Sequence, residues 1–411
     1  MKKKLTIFGK FDFITLLITI LILFIGLLSI YSATFGNVTE VDYFKKQMIF
    51  AIAGLIIMIS ISFIPPRYLA ISSYYLYAFS ILLLILVLLF GKTINGNKSW
   101  FYIAGFGIQP SELAKVAIIM AVSFYLNTGD KKRDINDIPV LFVTFAFVII
   151  PVILVKLQND TGTSLVILAM LIPILWGAGL SPFLLFAIIS PIALAIISFF
   201  SSTLFYVALG IVIICLFFFK RNLFLSILVL VINVAAGLSV HFLFSKLAVY
   251  QQQRILALFD PTLDPLKSGY NIIQSKVAIG SGGLTGKGFL QGTQTQLKFI
   301  PEQWTDFIFC MVGEEFGFIG AILLITLLLL LILKIFYNSF NCKNSYLSLV
   351  SASAGGLFLI QTVLNIGMTI GITPVIGITL PLVSYGVSSL LSFMLLIGLA
   401  MSTYRHREVY L

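Results

Sequence analysis

The stretch Phe13–Tyr31 reads FITLLITILILFIGLLSIY and holds 19 consecutive residues without a charge. An α-helix needs about 20 apolar residues to cross the hydrocarbon core of a bilayer. The stretch meets that length, and it lacks the small-residue cleavage site that ends a secretory signal peptide. It therefore predicts a first transmembrane helix that is retained in the mature chain.

The composition extends this prediction to the full length of 411 residues. The chain is 60% hydrophobic and only 10% charged, whereas soluble globular chains carry about 25% charged residues. The net charge of +11 could indicate a nucleic-acid partner, but most basic residues fall in short loops between apolar runs, where orientation in the membrane places them. We therefore predict an all-α polytopic integral membrane protein with no nucleic-acid partner.

Twelve apolar runs predict about twelve transmembrane helices. Two of these runs are short for a crossing, namely 182–199 and 203–219. The approximate bounds of all the runs are 12–33, 47–65, 72–90, 110–127, 138–156, 162–179, 182–199, 203–219, 222–244, 306–334, 346–370 and 385–404.

The basic residues predict the orientation of these helices. With the amino terminus inside, fourteen basic residues fall in inner segments and five in short outer loops, so both termini are expected in the cytoplasm. The segment 246–305 then lies outside as one large loop. The inner residues are Lys2, Lys3, Lys4, Lys10, Arg67, Lys131, Lys132, Arg133, Lys220, Arg221, Lys334, Lys343, Arg405 and Arg407, and the outer ones are Lys45, Lys46, Lys92, Lys98 and Lys156.

Two polar motifs lie at the outer ends of predicted helices. Glu112 and Lys115 in QPSELAK (109–115) are three residues apart, so they share one helix face and can pair. Charges in a bilayer are costly, so the two residues need an explanation. One is a structural ion pair that fixes one helix against another. The other, equally good, is that Lys115 also reaches an anionic ligand. Asp160 in DTGT (160–163) has the same two explanations, because a carboxylate at a helix start also favours the helix dipole.

The outer loop 246–305 carries a glycine-rich run, IGSGGLTGKG, at 279–288. Glycine-rich backbone with a lysine can cradle phosphates, but Gly288 stands where a P-loop has Ser or Thr. A mobile glycine loop explains the run equally well. Ionisable residues elsewhere in this region are Arg254, Asp260, Asp264, Lys267, Lys276, Lys298, Glu302 and Asp306.

The loop ends in PEQWTDFIF at 301–309, directly before a long apolar run. Thr305 fits a helix N-cap, which would place Asp306 in the first helical turn at the membrane surface. A partly dry carboxylate there suits a general base that acts on a sugar hydroxyl, although an acidic residue that favours the helix dipole explains it too. Glu314 and Glu315 lie about two turns deeper, where at least one must face protein or water.

Together these motifs resemble the SEDS family (shape, elongation, division and sporulation proteins), and its RodA members more than its FtsW members. The resemblance covers nearly the whole chain, and its specificity comes from the order and spacing of the motifs. These are NGNKSW (95–100), QPSELAK (109–115), DTGT (160–163), the glycine-rich run (279–288), GTQ (292–294), PEQWTDFIF (301–309), GEEFG (313–317) and LPLVSYG (380–386).

The resemblance implies a peptidoglycan glycosyltransferase that polymerises lipid II at the outer face of the bacterial cytoplasmic membrane, in rod-shape elongation. It makes Asp306 the catalytic aspartate and makes Glu112 and Lys115 functional polar residues near the cavity. It also implies a class B penicillin-binding protein, the transpeptidase that cross-links the new strand, as a partner within the elongation complex.

Transfer from a lipid pyrophosphate needs a base for the acceptor hydroxyl and positive charge at the leaving pyrophosphate. We expect Asp306 to be that base, and a divalent cation could share the leaving group. The residues expected to contact the substrate are Arg254, Lys276, Lys287, Lys115, Glu112, Lys298 and Ser384, and those expected to support the site are Asp160, Glu302 and Glu315.

Other functions stay open on the sequence alone: a transporter that flips lipid II without polymerising it, a scaffold for division or elongation proteins, or an FtsW-like paralogue. A transporter would favour polar groups near the midplane of several helices. Here polar groups concentrate toward the outer side and His241 is isolated, which favours an enzyme. Because SEDS proteins usually have ten spans, an extra helix pair is expected within 182–244, an insertion that keeps the outer loop outside.

Overall fold

The computed structural model describes residues 11–35, 41–94, 96–103, 106–127, 133–219, 222–260 and 268–408. Its helices are α1 Phe13–Thr34, α2 Val41–Phe63, α3 Pro66–Phe90, α4 Pro110–Asn127, α5 Ile138–Leu157, α6 Thr161–Ala169, α7 Leu171–Gly177, α8 Pro182–Phe200, α9 Ser202–Phe218, α10 Leu223–Ser245, α11 Val249–Leu256, α12 Ser268–Ser281, α13 Thr293–Gln296, α14 Ile308–Phe340, α15 Ser345–Thr369 and α16 Val387–Arg405. The expectations for Lys2, Lys3, Lys4, Lys10, Lys131, Lys132, Lys220, Arg221, Asp264 and Lys267 fall outside the described residues.

The helices follow the apolar runs of the sequence. Within the described ranges, nine are long and apolar enough to cross a bilayer, namely α1, α2, α3, α5, α8, α10, α14, α15 and α16. The remaining runs are helical but shorter or more polar, since α4 carries Glu112 and Lys115 and the helices Thr161–Gly177 and Ser202–Phe218 are short. The protein is therefore a polytopic, mainly helical membrane protein, and its twelve crossings stay a prediction.

Helices α15 and α16 form the middle of the bundle. In the apolar stretch that could span the bilayer, 72% of the residues of α15 and 78% of those of α16 are buried, against 22% in α3 and in α5. Small residues permit this close packing, which is how helices associate in lipid. A Cβ on Gly356 would lie 2.1 Å from Pro173 Cβ, and one on Gly398 would lie 2.8 Å from Met58 O.

Helices α8, α9 and α10 pack mainly on one another and cover the region 182–244, around a small core that includes Phe183 and Phe205. Two polar contacts join α8 to α10 inside this bundle. Asn233 Nδ2 donates to Ser190 Oγ (3.0 Å), and Ser198 Oγ donates to the carbonyl of residue 237 (2.8 Å). These contacts leave untested the prediction that an extra helix pair lies here.

The segment 246–305, predicted to be an outer loop, contains α11, α12 and α13, and α12 packs on α14 and α15. Its glycine-rich run lies against α14: a Cβ on Gly286 would lie 2.1 Å from Glu315 O, and one on Gly282 would lie 2.0 Å from Gly313 O. Phe318 N donates to the carbonyl of Gly283 (2.9 Å). Glycine at these positions therefore allows close backbone packing against α14. The mobile-loop and phosphate-cradle interpretations both stay predictions.

A small antiparallel sheet, absent from the sequence predictions, follows α3. It consists of β1 Lys92–Ile94, β2 Asn97–Ile103 and β3 Phe106–Ile108 in the order β1-β2-β3. The Lys98 backbone N–H donates to the carbonyl of Gln158 (3.0 Å), which ties the sheet to the end of α5. The sheet thus lies at the end of the bundle where α4 and α6 begin.

Asp12 links three helices at the opposite end of the bundle. Its carboxylate accepts hydrogen bonds from Thr15 N (3.2 Å) and Thr15 Oγ1 (2.7 Å), so it caps α1. It also accepts one from Asn338 Nδ2 on α14 (2.8 Å) and lies 3.5 Å from Lys334 Nζ. Asn338 in turn donates to the carbonyl of Ala400 on α16 (3.4 Å).

Replacement of this carboxylate is expected to destabilise the bundle. Asp12→Ala removes a helix cap and takes from Asn338 the nearer of its two acceptors, which should cost about 1–3 kcal/mol of unfolding free energy. Thermal unfolding of the purified protein in detergent measures this loss. Asp42→Ala, at an exposed carboxylate in the first turn of α2, is the control and should change the unfolding free energy by no more than about 0.5 kcal/mol. Equal losses in both variants would contradict a linking role for Asp12.

Candidate active site

A cavity of about 890 Å³ opens at the end of the bundle where α4, α6 and α16 begin. Its lining includes six of the residues that the sequence singled out, together with neutral polar and aromatic side chains. A space of this size and mixed polarity is typical of a binding site for a small molecule or headgroup. The six residues are Glu112, Lys115, Asp160, Arg254, Glu302 and Asp306.

Asp306 lies in a turn before α14, so its predicted position inside the first helical turn is wrong, as is Thr305 as the N-cap. The helix begins at Ile308, with Phe307 as its N-cap. Asn365 Nδ2 on α15 donates to the backbone carbonyl of Asp306 (2.9 Å). Ser384 Oγ donates to the carbonyl of Thr305 (2.5 Å). These side chains hold the carbonyls outside a helical pattern, and that is the physical reason for the difference.

The Asp306 carboxylate is half-buried at the cavity wall. Burial raises the pKa of Asp306 to about 7; the negative charge of Glu302 adds to the rise and the positive charge of Arg254 opposes it. Burial disfavours the charged form of a carboxyl group because fewer water molecules solvate it. An aspartate with such a pKa can take up and release a proton near neutral pH, as a general base must.

The segment 376–379 forms the wall next to Asp306. Gly377 has a φ of +70°, and a Cβ placed on it would lie 3.4 Å from Asp306 Oδ2, so the backbone passes directly beside the carboxylate. Gly162, in the DTGT motif, approaches the same segment from α6, where a Cβ would lie 2.1 Å from Ile376 O. The glycine of DTGT therefore allows α6 to pack against the segment that flanks Asp306.

Glu112 and Lys115 form the predicted ion pair. Lys115 Nζ lies 2.8 Å from Glu112 Oε1 and 3.4 Å from Gln361 Oε1, and it stands over the ring of Phe393. Glu112 Oε2 accepts a hydrogen bond from Ser392 Oγ (3.0 Å). The lysine is 1% exposed and the glutamate 6%, yet both border the cavity. The structure therefore contains the ion pair that the structural explanation predicted, and the ligand role of Lys115 stays a prediction.

Asp160 is the N-cap of α6, as one of its two explanations predicted. Its Oδ1 accepts from Thr163 N (3.0 Å) and its Oδ2 from Thr163 Oγ1 (2.9 Å). Gln109 Nε2 also donates to Oδ2 (2.8 Å), which joins the QPSELAK and DTGT motifs at the cavity. Burial raises the pKa of Asp160, while its hydrogen bonds to Thr163 oppose that rise.

Aromatic side chains at the cavity were missed by the sequence reasoning. The rings of Tyr43 and Trp304 stack at 5.7 Å between centroids, and Tyr43 lies 4.9 Å from the ring of Tyr385. Trp100 lines the cavity from the sheet. Three of these four residues, Trp100, Trp304 and Tyr385, were quoted within motifs. Nothing in one sequence, however, separates an aromatic residue that lines a cavity from one that faces lipid. Flat aromatic faces suit contact with sugar rings and lipid.

Arg254 lines the cavity from α11, with its guanidinium over the ring of Tyr250 at 5.7 Å. Lys46 on α2 lines it as well, although the sequence reasoning gave it no role in a site. With Lys115 these side chains supply positive charge near the carboxylates. The lining also carries the four carboxylates of Glu112, Asp160, Glu302 and Asp306, so an anionic ligand would have to bind close to the cations.

Other predicted residues lie elsewhere. The Lys287 ammonium pairs with Glu314 (2.7 Å) beside α14, and Glu315 Oε1 accepts from Ser32 Oγ on α1 (2.5 Å). Lys276 packs beside residue 371. Ser384 supports the turn before α14 through the hydrogen bond described above. The residues that do not line the cavity are Lys276, Lys287, Lys298, Glu315 and Ser384.

Metal ligands were not assigned from the sequence. In the ranges that the structure describes, no three or more His, Cys, Asp or Glu side chains gather closely enough to hold a metal ion. The carboxylates of Asp160, Glu302 and Asp306 border one cavity without forming such a group. A divalent cation there stays a prediction, and no step described below depends on it.

The ion pair of QPSELAK gives a direct test of its two explanations. Lys115→Met should lower the unfolding free energy by about 3–5 kcal/mol, because it leaves the buried Glu112 carboxylate without its partner. The double variant Lys115→Met/Glu112→Gln should regain most of that loss in thermal unfolding. A double variant as unstable as the single one would contradict the ion pair as the cause. Loss of substrate binding by the folded double variant, with binding kept by Glu112→Gln alone, would assign Lys115 to the ligand as well.

The fold and the cavity define a class of polytopic membrane protein with a charged, partly dry site at one end of its helix bundle. A family model described as "Cell cycle protein", which groups FtsW, RodA and SpoVE, matches residues 13–209 and 200–409. The chain belongs to this family, which is the SEDS family that its motifs resemble.

Individual relatives agree with that assignment. The chain is 35% identical to the peptidoglycan glycosyltransferase MrdB of Escherichia coli, over 96% of this chain and 93% of the relative. It is 34% identical to the peptidoglycan glycosyltransferase RodA of Treponema pallidum, over 96% and 97%. The stage V sporulation protein E of Bacillus subtilis is 32% identical, over 96% and 97%.

Solved structures show the same fold. A chain from a peptidoglycan synthase complex, described as coordinating polymerization and crosslinking, matches with a TM-score of 0.73 and 27% identity, over 97% of this chain and 99% of that one. The rod shape determining protein RodA of Thermus thermophilus matches with a TM-score of 0.64 and 25% identity, over 98% and 99%.

Proposed function

We propose that this protein is a peptidoglycan glycosyltransferase that polymerises lipid II into glycan strands at the outer face of the bacterial cytoplasmic membrane. The observation that carries the proposal is Asp306, a half-buried carboxylate with a pKa of about 7 in a cavity that also holds cationic side chains. The names of the similar proteins MrdB and RodA support the same reaction.

In the proposed reaction, Asp306 takes the proton from the 4-hydroxyl of one sugar as that oxygen attacks the anomeric carbon of another. The bond from that carbon to the lipid pyrophosphate breaks, and the pyrophosphate leaves with its electron pair. Attack from the opposite face inverts the anomeric configuration. The protein supplies the base and the positioning, since proton removal in the transition state contributes about 10²–10⁴-fold.

Positive charge for the leaving pyrophosphate would come from Arg254, with Lys46 and Lys115 as further cations at the cavity. Arg254 suits this role because a guanidinium can bind phosphate oxygens through two N–H groups. Lys115 is held by Glu112 and Gln361, so it contributes as a fixed charge. Fixed charges in a partly dry site stabilise a developing anion more than mobile ones in water do.

The proposed orientation puts the cavity on the outer side. The end of the bundle opposite the cavity holds the basic residues Arg67, Lys334, Lys343, Arg405 and Arg407, at the start of α3, the end of α14 and the end of α16. Basic residues favour the cytoplasmic side. Both termini would then be cytoplasmic, and the cavity would receive lipid II whose sugar has already crossed the membrane.

The proposed partner is a class B penicillin-binding protein that cross-links the new strands. Support comes from the similar chain in a peptidoglycan synthase complex that coordinates polymerization and crosslinking. The proposed context is rod-shape elongation, because RodA and MrdB are among the similar proteins. A role in division or sporulation is the alternative, supported by the similarity to the stage V sporulation protein.

The identity of the base is tested by Asp306→Asn. Purified protein, alone and with its transpeptidase partner, is given labelled lipid II, and the glycan product is measured. The variant should lose about 10²–10⁴-fold in rate while its thermal unfolding stays close to wild type. Asp134→Asn, at an exposed loop carboxylate, should polymerise like wild type. Near-normal product from Asp306→Asn would reject Asp306 as the base, and no product from folded wild type with its partner would favour a transporter or a scaffold.

The pKa of Asp306 predicts the pH dependence of the reaction. A base must be ionised, so the rate should rise about tenfold between about pH 6 and about pH 8, with a midpoint near 7. Glu302→Gln removes a negative charge that raises this pKa and should move the midpoint to lower pH. Arg254→Gln removes the opposing positive charge and should move it to higher pH. Midpoints unchanged in both variants would contradict Asp306 as the titrating group.

A further inference from the structure

Glu314 is a buried carboxylate that the proposed reaction does not use. It lies in the second turn of α14, and its side chain is fully enclosed by protein. Its Oε1 accepts from Lys287 Nζ (2.7 Å) and from Gln294 N (2.9 Å). Its Oε2 accepts from Thr295 N (3.0 Å) and from Thr295 Oγ1 (2.7 Å). The carboxylate therefore joins the glycine-rich run to the short helix α13.

Residues 293–306, here called the return segment, lead from these contacts to Asp306. Helix α1 holds the other side of this segment. Gln296 Nε2 donates to the carbonyl and the hydroxyl of Ser32 (3.3 and 3.2 Å), and Gln303 Nε2 donates to the carbonyl of Ala33 (3.1 Å). Only two residues separate Gln303 from Asp306, so a shift of the return segment would also displace the Asp306 carboxylate.

We propose that Glu314 is a positioning residue for Asp306: its bonds to Lys287 and α13 fix the return segment and thereby the place of the Asp306 carboxylate in the cavity. The catalytic consequence rests on the function proposed above. Lys287, which the sequence assigned to the pyrophosphate, is then the charge partner of Glu314. The Lys287 side chain is 26% exposed and does not line the cavity.

The chemistry of the contacts explains why a carboxylate is needed. The groups that hydrogen-bond to Glu314 are all donors: an ammonium, two backbone N–H groups and the hydroxyls of Thr293 and Thr295. An amide at this position would turn one acceptor oxygen into an NH₂ group, which is only a donor and cannot accept from them. Loss of Lys287 would leave the enclosed carboxylate without its neutralising charge, which destabilises the contact in a different way.

Hydrogen exchange of the purified full chain tests the fixing of the return segment. Glu314→Gln and Lys287→Met should both speed amide exchange within 293–306, because that segment opens more often. Lys287→Arg keeps the charge and should exchange like wild type. Lys156→Met, at an exposed lysine in the last turn of α5, is the matched control and should also exchange like wild type. Unchanged exchange in both Glu314→Gln and Lys287→Met would overturn the proposal.

Lipid II polymerisation by the same proteins tests the consequence for Asp306. A misplaced base should lower kcat on the order of 10-fold to 100-fold and leave KM within a few-fold, because substrate contacts elsewhere in the cavity remain. Lys287→Arg should recover most of kcat. If Glu314→Gln does not fold, Lys287→Met carries the test, since its side chain is partly exposed.

The outcomes separate this inference from the proposed function. A large rise in KM with kcat unchanged in Lys287→Met would overturn the positioning role and return Lys287 to the substrate. Faster exchange together with normal kcat would also overturn it. Absence of product from wild type would reject the glycosyltransferase, whereas the exchange rates would still decide whether Glu314 fixes the return segment.

Discussion

The turn that carries Asp306 is held through its own backbone carbonyl groups, which accept hydrogen bonds from residues far away in the sequence. Ser384 Oγ donates to the carbonyl of Thr305, Tyr385 N to that of Trp304, and Asn365 Nδ2 to that of Asp306. Near a bilayer such groups need partners within the protein, because lipid offers none. These bonds keep Asp306 out of helix α14 and fix its carboxylate at the cavity wall, and the proposed chemistry depends on that position.

The same requirement explains the arrangement of the buried charges. Glu112 faces Lys115, and Glu314 faces Lys287, each at less than 3 Å. The carboxylate of Asp306 instead borders the cavity, where burial raises its pKa to about 7. The two ion pairs thus hold structural elements together, Glu112–Lys115 within α4 and Glu314–Lys287 between α14 and the glycine-rich run. Asp306, with its pKa of about 7, can change its protonation near neutral pH.

Much of the fold could be predicted from the sequence, because apolar length and local spacing are encoded within one helix. The helix-forming runs, the pair of Glu112 with Lys115 and the cap at Asp160 are of this kind. The turn at Asp306, the partner of Lys287 and the packing role of the glycine-rich run could not be predicted, because they depend on residues from distant helices. Thr305 fits a helix N-cap by residue type, yet contacts from α15 and residue 384 outweigh that local preference.

A structure of the protein with a bound, unreactive analogue of lipid II tests the central claim most directly. The account predicts the pyrophosphate beside Arg254 and the acceptor 4-hydroxyl within about 3.2 Å of the Asp306 carboxylate, or one water molecule away. An analogue whose sugars lie outside the cavity, with the pyrophosphate against Lys287 and the glycine-rich run, would contradict both the site and the role given to Asp306.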